Sequence, residues 1–164
     1  MEKKYELTEE TKEFYGRTLY RIKALKDFGD VEVGDLGGYI ESESNLIQEC
    51  CAWVYGNAMV YGDAKVYGNA NVCGDAEIKG KTDYIVFKNW WSSGRYFTWT
   101  HSNNMWKVGC FYGTGKELVE KAYKDSELSG REYERAVKYV ESILADEKKQ
   151  RKQLKSYMLK QKKK

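Results

Sequence analysis

A six-residue phrase that recurs five times between residues 54 and 83 constrains the fold more than any other feature of this chain. The copies read VYGNAM, VYGDAK, VYGNAN, VCGDAE and IKGKTD. Side chains of an extended chain alternate between two faces. The even positions hold aliphatic, glycine, alanine or threonine side chains, and the odd positions are mostly polar or tyrosine. A short fixed period predicts stacked β structure with Val54, Val60, Val66, Val72 and Ile78 inside.

Glycine at every sixth position permits a bend or a close backbone approach that other residues resist. The simplest alternative fold is a meander of amphipathic strands joined by hairpins. The copies follow one another without turn insertions. This continuity favours stacking over hairpins.

The phrase resembles the hexapeptide repeat of left-handed parallel β-helices, in which three hexads close one triangular coil. In that family glycine usually follows the aliphatic residue directly, whereas here a tyrosine or cysteine stands between them. The chain is more similar to bacterial and phage proteins built on V-Y-G-[ND]-A repeats, such as the YdcK-like proteins. The resemblance covers residues 46–83, and more weakly GDLGGYIE at 34–41. Residues 84–113 look like a module of phage-encoded relatives.

The resemblance implies a short left-handed parallel β-helix of about two coils. If three phrases complete a coil, residues 18 apart lie over one another, which places Tyr55 over Cys73. Tyr55, Tyr61 and Tyr67 then face three different sides.

We expect four segments along the chain. Residues 1–45 form an N-terminal β cap, because an open coil end is an unpaired strand edge. In this cap TLYRIKAL at 18–25 reads as a strand and LTEETKEF as a turn or short helix. Residues 46–83 form the β-helix, residues 84–147 an α+β domain, and residues 148–164 a basic helical tail.

The α+β domain begins with three aromatic, β-branched runs, DYIVFKNWW, RYFTWTH and MWKVGCFYG. They predict a three-stranded antiparallel sheet. A helix follows at 115–125, and Ser129 with Glu132 matches a capping box that starts a second helix. The predicted class is therefore mainly β with C-terminal α. The second helix has an apolar face at Tyr133, Val137, Val140 and Leu144, which is expected to pack on the sheet.

The cysteines, Cys50, Cys51, Cys73 and Cys110, lack the paired spacing typical of a zinc site. We expect four reduced thiols, with Cys73 on the outer face, and no metal or cofactor.

An enzyme is not expected. Hexapeptide acyltransferases use a histidine beside the coils, but His101 lies outside the repeats, and HSNN offers no recognisable partner for a general base. The phosphate-binding pattern G-x-x-x-x-G-K-[ST] is absent from the sequence.

The cytoplasm of a bacterial host is the expected location. The sequence has no run of 18 apolar residues, and the start MEKKYELTEE is charged. Charge is uneven along the chain: residues 1–51 hold 12 acids and 7 bases, whereas the segment from Lys148 holds nine bases and no acid. A basic tail of this kind is either a solvated helix end or a contact for nucleic acid.

The leading functional hypothesis is a non-enzymatic protein that binds a host protein. Tyr55, Tyr61 and Tyr67 are the candidate contacts, because tyrosine is enriched in interface hot spots. The resemblance to phage proteins suggests a bacterial defence complex as the target, as for anti-CRISPR proteins. A homodimer is also expected, with the repeats or the C-terminal helices at the interface and the basic tail free.

The second hypothesis is a nucleic-acid or nucleotide-binding accessory protein, in which aromatic side chains stack on bases and cations meet phosphates. A structural or oligomerisation scaffold is the third. The candidate nucleic-acid contacts are Lys88, Trp90, Trp91, Arg95, Trp99, Trp106, Lys107, Lys148, Lys149, Arg151 and Lys152.

Overall fold

The computed structural model describes residues 2–162, so the last two lysines of the predicted basic tail lie outside the described residues. The chain divides into two compact units, Met1–Thr114 and Gly115–Lys164. The first unit is built from β-strands and the second from two helices. Among the described residues, no helix is long and apolar enough to cross a membrane.

A five-stranded mixed sheet forms the largest part of the first unit. Three antiparallel strands begin it: β1 (Tyr5–Phe14), β2 (Arg17–Ala24) and β3 (Leu36–Ile40). The acidic run LTEETKEF is therefore part of a strand, and the prediction of a turn or helix there is wrong. Strand β1 pairs antiparallel with β2, and the register of the pairing shifts between Leu7 and Thr11.

The repeats contribute two-residue strands that pair in parallel. Strands β5 (Met59–Val60) and β7 (Glu77–Ile78) extend the mixed sheet beyond β3. Strands β4 (Trp53–Val54) and β6 (Asn71–Val72) form a separate two-stranded sheet. Residues 18 apart pair in both places, Trp53 with Asn71 and Met59 with Glu77, which confirms that part of the prediction.

The predicted short left-handed parallel β-helix is wrong, and residues 1–45 are not its cap. The repeat strands form no solenoid sheet of their own, because they are divided between two sheets, one of which is completed by antiparallel strands β1–β3. Glycine explains the short strands. Gly56, Gly62, Gly68 and Gly74 all have φ between 60° and 71°, so each phrase turns after a short extended stretch.

The inward-facing side chains of the repeats belong to the core of the first unit, as predicted. Val54, Val60, Val66, Val72 and Ile78 are completely buried. Gly37 and Gly38 let β3 approach this core closely, since a Cβ on either would lie within 2.6 Å of a backbone carbonyl oxygen.

A buried lysine and tyrosine tie the start of the chain to the segment before the repeats. Lys4 Nζ donates to the carbonyl oxygen of Ala52 at 2.8 Å and lies 5.0 Å from the Phe28 ring centre. The Tyr5 hydroxyl donates to the carbonyl oxygen of Leu46 at 2.6 Å. These hydrogen bonds satisfy the polar ends of two side chains that are otherwise enclosed.

A four-stranded antiparallel sheet follows the repeats, rather than the predicted three strands. It contains β8 (Tyr84–Lys88), β9 (Tyr96–Thr100), β10 (Met105–Val108) and β11 (Phe111–Gly113). The extra strand exists because Gly109, at φ 53°, turns the chain back.

The four-stranded sheet is anchored to the side of the repeats by hydrogen bonds. Thr98 Oγ1 accepts from the Asn71 backbone N–H at 3.0 Å, and Ser102 Oγ accepts from the Glu77 backbone N–H at 2.8 Å. The Tyr84 hydroxyl donates to the Lys65 carbonyl oxygen at 2.8 Å. The sheet therefore covers one side of the repeats.

The second unit is a helical hairpin of α1 (Gly115–Asp125) and α2 (Glu127–Gln161). Helix α2 is capped by Ser126, whose side chain accepts from the Ser129 backbone N–H at 3.1 Å. The predicted capping box at Ser129 and Glu132 is therefore wrong, because helix α2 already includes both residues. The helices pack on each other closely: Gly130 lies against the Tyr123 ring, where a Cβ would overlap it.

Candidate binding surface

The structure separates the three repeat tyrosines proposed as one set of protein contacts. Tyr55 is half-buried with Lys107 Nζ 5.6 Å from its ring centre, and Tyr61 packs 5.5 Å from Phe14, centre to centre. Burial raises the pKa of both phenols. Tyr67 is 61% exposed, with its ring centre 6.5 Å from that of Tyr84. Only Tyr67 offers most of its ring to a partner.

The four candidate tryptophans also divide. Trp99 and Trp106 are buried within the four-stranded sheet, and Trp99 Nε1 donates to Asn104 Oδ1 at 2.9 Å. Trp91 is half-buried and meets Phe97 edge-on at 6.2 Å. Trp90 is 70% exposed. Trp99 and Trp106 therefore belong to the core, and Trp90 is the tryptophan that can contact a ligand.

A hydrogen-bonded loop between β8 and β9 presents Trp90. The Asn89 backbone N–H donates to the Arg95 carbonyl oxygen at 2.8 Å, and Asn89 Oδ1 accepts from the Ser92 backbone N–H at 2.9 Å. Gly94 adopts φ 68°, the left-handed conformation that closes the loop. These contacts fix the loop backbone that carries the exposed side chains of Trp90 and Arg95.

The last pair of the β8–β9 hairpin adds a cation and an aromatic ring to this end of the sheet. Lys88 is paired with Tyr96 across the two strands, and its Nζ lies 5.9 Å from the Tyr96 ring centre. Both side chains are exposed. A lysine over a tyrosine face is held there by electrostatic attraction to the ring, which keeps the ring accessible from its other side.

Tyr96 lines two clefts, and the larger of them is also lined by Tyr67. A cleft of about 270 Å³ is lined by Tyr55, Asn69, Arg95 and Tyr96 among others, and a second of about 460 Å³ by Tyr67, Asn69, Tyr84 and Tyr96 among others. Because Asn69 and Tyr96 line both clefts, the surface is continuous. We define the aromatic surface as the side chains of Tyr67, Arg95 and Tyr96, which line these clefts, together with Lys88, which pairs with Tyr96, and Trp90 of the β8–β9 loop, which line neither cleft.

The repeat asparagines at the aromatic surface were not predicted as site residues. Asn69 lines both clefts, and Asn71 lines the smaller one, where its buried Oδ1 has no hydrogen-bond partner among residues 2–162. An unsatisfied buried acceptor is costly unless a water or ligand donor reaches it. Both asparagines occupy odd positions of the repeat, which the sequence pattern predicted to face outward. Which of those positions would border a cleft depends on the four-stranded sheet.

The charge around the aromatic surface is locally positive. Residues 84–114 contain Lys88, Arg95 and Lys107 and no aspartate or glutamate. Lys81 lines the larger cleft and Asp30 the smaller one. Lys107 is half-buried, and its Nζ lies 5.6 Å from the ring centre of Tyr55, which lines the smaller cleft.

Among the reactive side chains, the exposed thiol of Cys51 lines the smaller cleft, whereas His101 and Cys73 line neither cleft. His101 is in the turn after β9 and meets Trp99 edge-on at 5.5 Å. Cys73 is buried although it occupies one of the outward-facing positions of the repeat, and burial raises the pKa of its thiol to about 12. Lys107 and the ring of Tyr112 lie near this thiol because the four-stranded sheet covers that side of the repeats. Among residues 2–162, no three histidine, cysteine, aspartate or glutamate side chains are grouped to hold a metal ion.

The remaining candidate contacts are in the helical unit. Lys148, Lys149, Arg151 and Lys152 are exposed on the second half of α2. They form a basic helix surface of their own, which we treat separately from the aromatic surface.

A scan of protein-family models finds no family that matches this chain, and no curated protein matches its sequence.

Proposed function

We propose that this chain is a non-enzymatic binding protein that docks a partner protein on its aromatic surface. The observation that supports this most is the exposure of Tyr67, Tyr96 and Trp90, with Arg95 lining a cleft beside Tyr96. Tryptophan, tyrosine and arginine are the residues most enriched among interface hot spots. A tryptophan that remains 70% exposed gains little from the fold of its own chain, so a partner is the natural source of its burial.

The rigidity of the scaffold supports the same proposal. Trp90 and Arg95 are carried by a loop in which the Asn89 backbone N–H donates to the Arg95 carbonyl oxygen and the Asn89 side chain accepts from the Ser92 backbone N–H. Tyr67 follows a fully buried Val66 and contacts the Tyr84 ring. Side chains that are already positioned lose less conformational entropy on binding, which raises affinity.

The class of partner follows from the sequence resemblance to phage-encoded repeat proteins. Such proteins gain from blocking host defence, so we propose a bacterial defence complex as the target. The aromatic surface would act by occupying a protein surface that the complex needs. No bond is made or broken in this mode of action.

The test is a pull-down with the wild type, Trp90→Ala and Tyr15→Ala as baits. Each bait is offered bacterial lysate and, separately, purified defence complexes. Tyr15 is the matched control because it is exposed and aromatic but lies in the β1–β2 turn. We expect Trp90→Ala to weaken a specific complex by roughly tenfold or more and Tyr15→Ala to leave it unchanged. Equal binding by all three proteins would reject the aromatic surface as the docking site.

Nucleic-acid binding is a second candidate, favoured by the absence of acidic residues from 84–114. Tyr96 and Trp90 could stack on bases while Lys88 and Arg95 contact phosphates. Retention on single-stranded DNA that falls steeply with salt, and that Trp90→Ala and Arg95→Ala both reduce, would support it. Salt-independent retention, or retention unaffected by both variants, would count against it.

A further inference from the structure

The second half of helix α2 carries an apolar stripe that its own hairpin does not cover. The buried residues of α2 all precede Glu141 and lie in the part of the helix on which α1 packs. Beyond that point Leu154 is 60% exposed and Met158 54% exposed. Leu154 and Met158 are therefore available to another surface, whereas Leu144 and Glu147 nearer the hairpin are half-buried.

The stripe continues the heptad spacing of the buried half. Leu144, Glu147, Arg151, Leu154 and Met158 follow one another at intervals of three and four residues. Residues at these intervals lie on one face of a helix, and a repeat of this spacing is the pattern by which two helices pack in a coiled coil. The polar step at Glu147 and Arg151 interrupts the stripe with opposite charges.

From this pattern we infer that the second half of α2 pairs with the same segment of a second copy as an antiparallel two-helix coiled coil. Centred between residues 147 and 151, this arrangement sets Glu147 against Arg151 of the second copy and Leu144 against Leu154 of the second copy. Each charged layer then contains opposite charges, and each flanking layer is entirely apolar. A parallel pair would instead stack Glu147 on Glu147 and Arg151 on Arg151, which repel each other.

The flanks of the stripe favour the same orientation. In the antiparallel pair Ile143 lies beside Tyr157 of the second copy, and Glu141 beside Lys155 of the second copy. Tyr157 is exposed in the single chain, so the pairing gives it an apolar contact. Residues 141–157 make a paired segment of about 25 Å, at 1.5 Å per residue.

This inference revises the dimer expected from the sequence, in which the basic tail was free. It does not depend on the aromatic surface, which is in the other unit. The partner is a second copy because the stripe is complementary to itself in charge and in apolar positions. Binding of the basic face to nucleic acid is a competing outcome that the experiment distinguishes.

Orientation is tested by cysteine cross-linking in a Cys50→Ser, Cys51→Ser, Cys110→Ser background. Equal amounts of Leu144→Cys and Leu154→Cys chains, one of them carrying a mass tag, are mixed and oxidised. Antiparallel pairing gives the mixed disulfide between the two variants as the main product. Two homodisulfides as the main products, or none of the three, would overturn the inference.

Charge exchange supplies the second test, read as the dissociation constant from sedimentation. Glu147→Arg and Arg151→Glu each place like charges in both polar layers and are expected to weaken the dimer roughly tenfold or more. The double variant restores opposite charges and should recover most of the affinity. A double variant as weak as the single ones contradicts antiparallel pairing.

Lys149→Glu is the matched control, because it changes the net charge as Arg151→Glu does but lies on the opposite face of the helix. It should leave the dissociation constant unchanged. Equal weakening by both variants would mean that general charge rather than the stripe controls association. A wild type that remains monomeric at all concentrations, or that associates only when single-stranded DNA is added, would also overturn the inference. Helix content by circular dichroism confirms that each variant is folded.

Discussion

Gly74 lies directly against the Tyr112 ring: a Cβ atom added to Gly74 would be 2.7 Å from the Tyr112 Cζ atom. This contact joins the repeats to the edge strand of the four-stranded sheet. Asn103 reinforces it, since its Nδ2 donates to the Tyr112 hydroxyl and to Asp75 Oδ1, each at 3.2 Å. Glycine at 74 therefore serves both the turn of the repeat, at φ 71°, and the approach of β11.

Gly74→Ala is expected to destabilise the protein more than Gly68→Ala. Both glycines have positive φ, 71° and 66°, so alanine pays the left-handed strain of about 1–2 kcal/mol at either position. Among residues 2–162, no atom beyond the two chain neighbours of Gly68 lies within 4 Å of a Cβ there, whereas at Gly74 the Tyr112 ring must move. We expect Gly74→Ala to cost about 1–3 kcal/mol more than Gly68→Ala in urea unfolding.

A second substitution checks the cause. In the Gly74→Ala background, Tyr112→Ala removes the ring that the new methyl group meets, so its own cost should be smaller than in the wild type. Equal costs for Tyr112→Ala in both backgrounds would show that Gly74 and Tyr112 do not interact as the structure has them.

The repeat pattern predicted which side chains are buried but not how the strands are arranged into sheets. Alternation depends only on the local geometry of an extended chain, so Val60 and Ile78 could be assigned correctly. Besides Glu77, Met59 pairs with Tyr39 of β3, 20 residues earlier and outside the repeat, and no local pattern encodes that second pairing. The sequence resemblance supplied a β-helix because it described the repeat alone.

The sequence predicted less well which aromatic side chains of the candidate site are exposed, as two tryptophans show. Trp90 and Trp99 both occur in aromatic, β-branched runs, which mark a sheet without saying where it turns. The loop that hydrogen-bonds Asn89 to Arg95 leaves Trp90 outside the β8–β9 pairing, and Trp99 is enclosed opposite Trp106. The exposure of each tryptophan therefore depends on where the β8–β9 turn falls and on which strand lies opposite, and the aromatic pattern specifies neither.

Val66→Asp should prevent folding. Val66 is completely buried, its backbone N–H donates to the Asn45 carbonyl oxygen at 2.8 Å, and it bridges to Leu46. A carboxylate there has no cation to pair with among its apolar neighbours, and burying it costs several kcal/mol or more. The circular dichroism spectrum of the purified variant should lack the cooperative thermal transition of the wild type.

Asn57→Asp is the control for Val66→Asp, because Asn57 is exposed and the equivalent position of the next phrase is already Asp63. Its free energy of unfolding should remain within about 0.5 kcal/mol of the wild type. A loss as large as that of Val66→Asp would mean that the two faces of the repeat are reversed.

Cys73 should resist alkylation while the other three cysteines react. Burial raises the pKa of its thiol to about 12, whereas Cys50, Cys51 and Cys110 are exposed. Only the thiolate attacks an alkylating reagent. Iodoacetamide at pH 8 should add three groups to the native protein by mass spectrometry and a fourth only in denaturant. Rapid addition of four groups to the native protein would contradict the burial of Cys73.

The buried Lys4 should make stability rise with pH in alkaline solution. Burial lowers the pKa of Lys4 to about 8, an effect that the nearby Cys51, Cys50 and Glu49 partly offset. Its ordinary value is 10.5. Below pH 8 the amine is charged in both states, so the folded protein bears the full cost of enclosing the charge. Between pH 8 and 10.5 the unfolded chain holds more protons, and the free energy of unfolding therefore increases with pH.

Lys4→Met isolates this effect, because the buried tyrosines, whose raised pKa lowers stability above pH 10, are common to both proteins. The free energy of unfolding of the wild type minus that of Lys4→Met should rise by on the order of 1 kcal/mol per pH unit between pH 8 and 10. Below pH 8 the difference should be constant. A difference that falls as pH rises through this window would mean that the Ala52 carbonyl and the Phe28 ring stabilise the ammonium group more than burial penalises it.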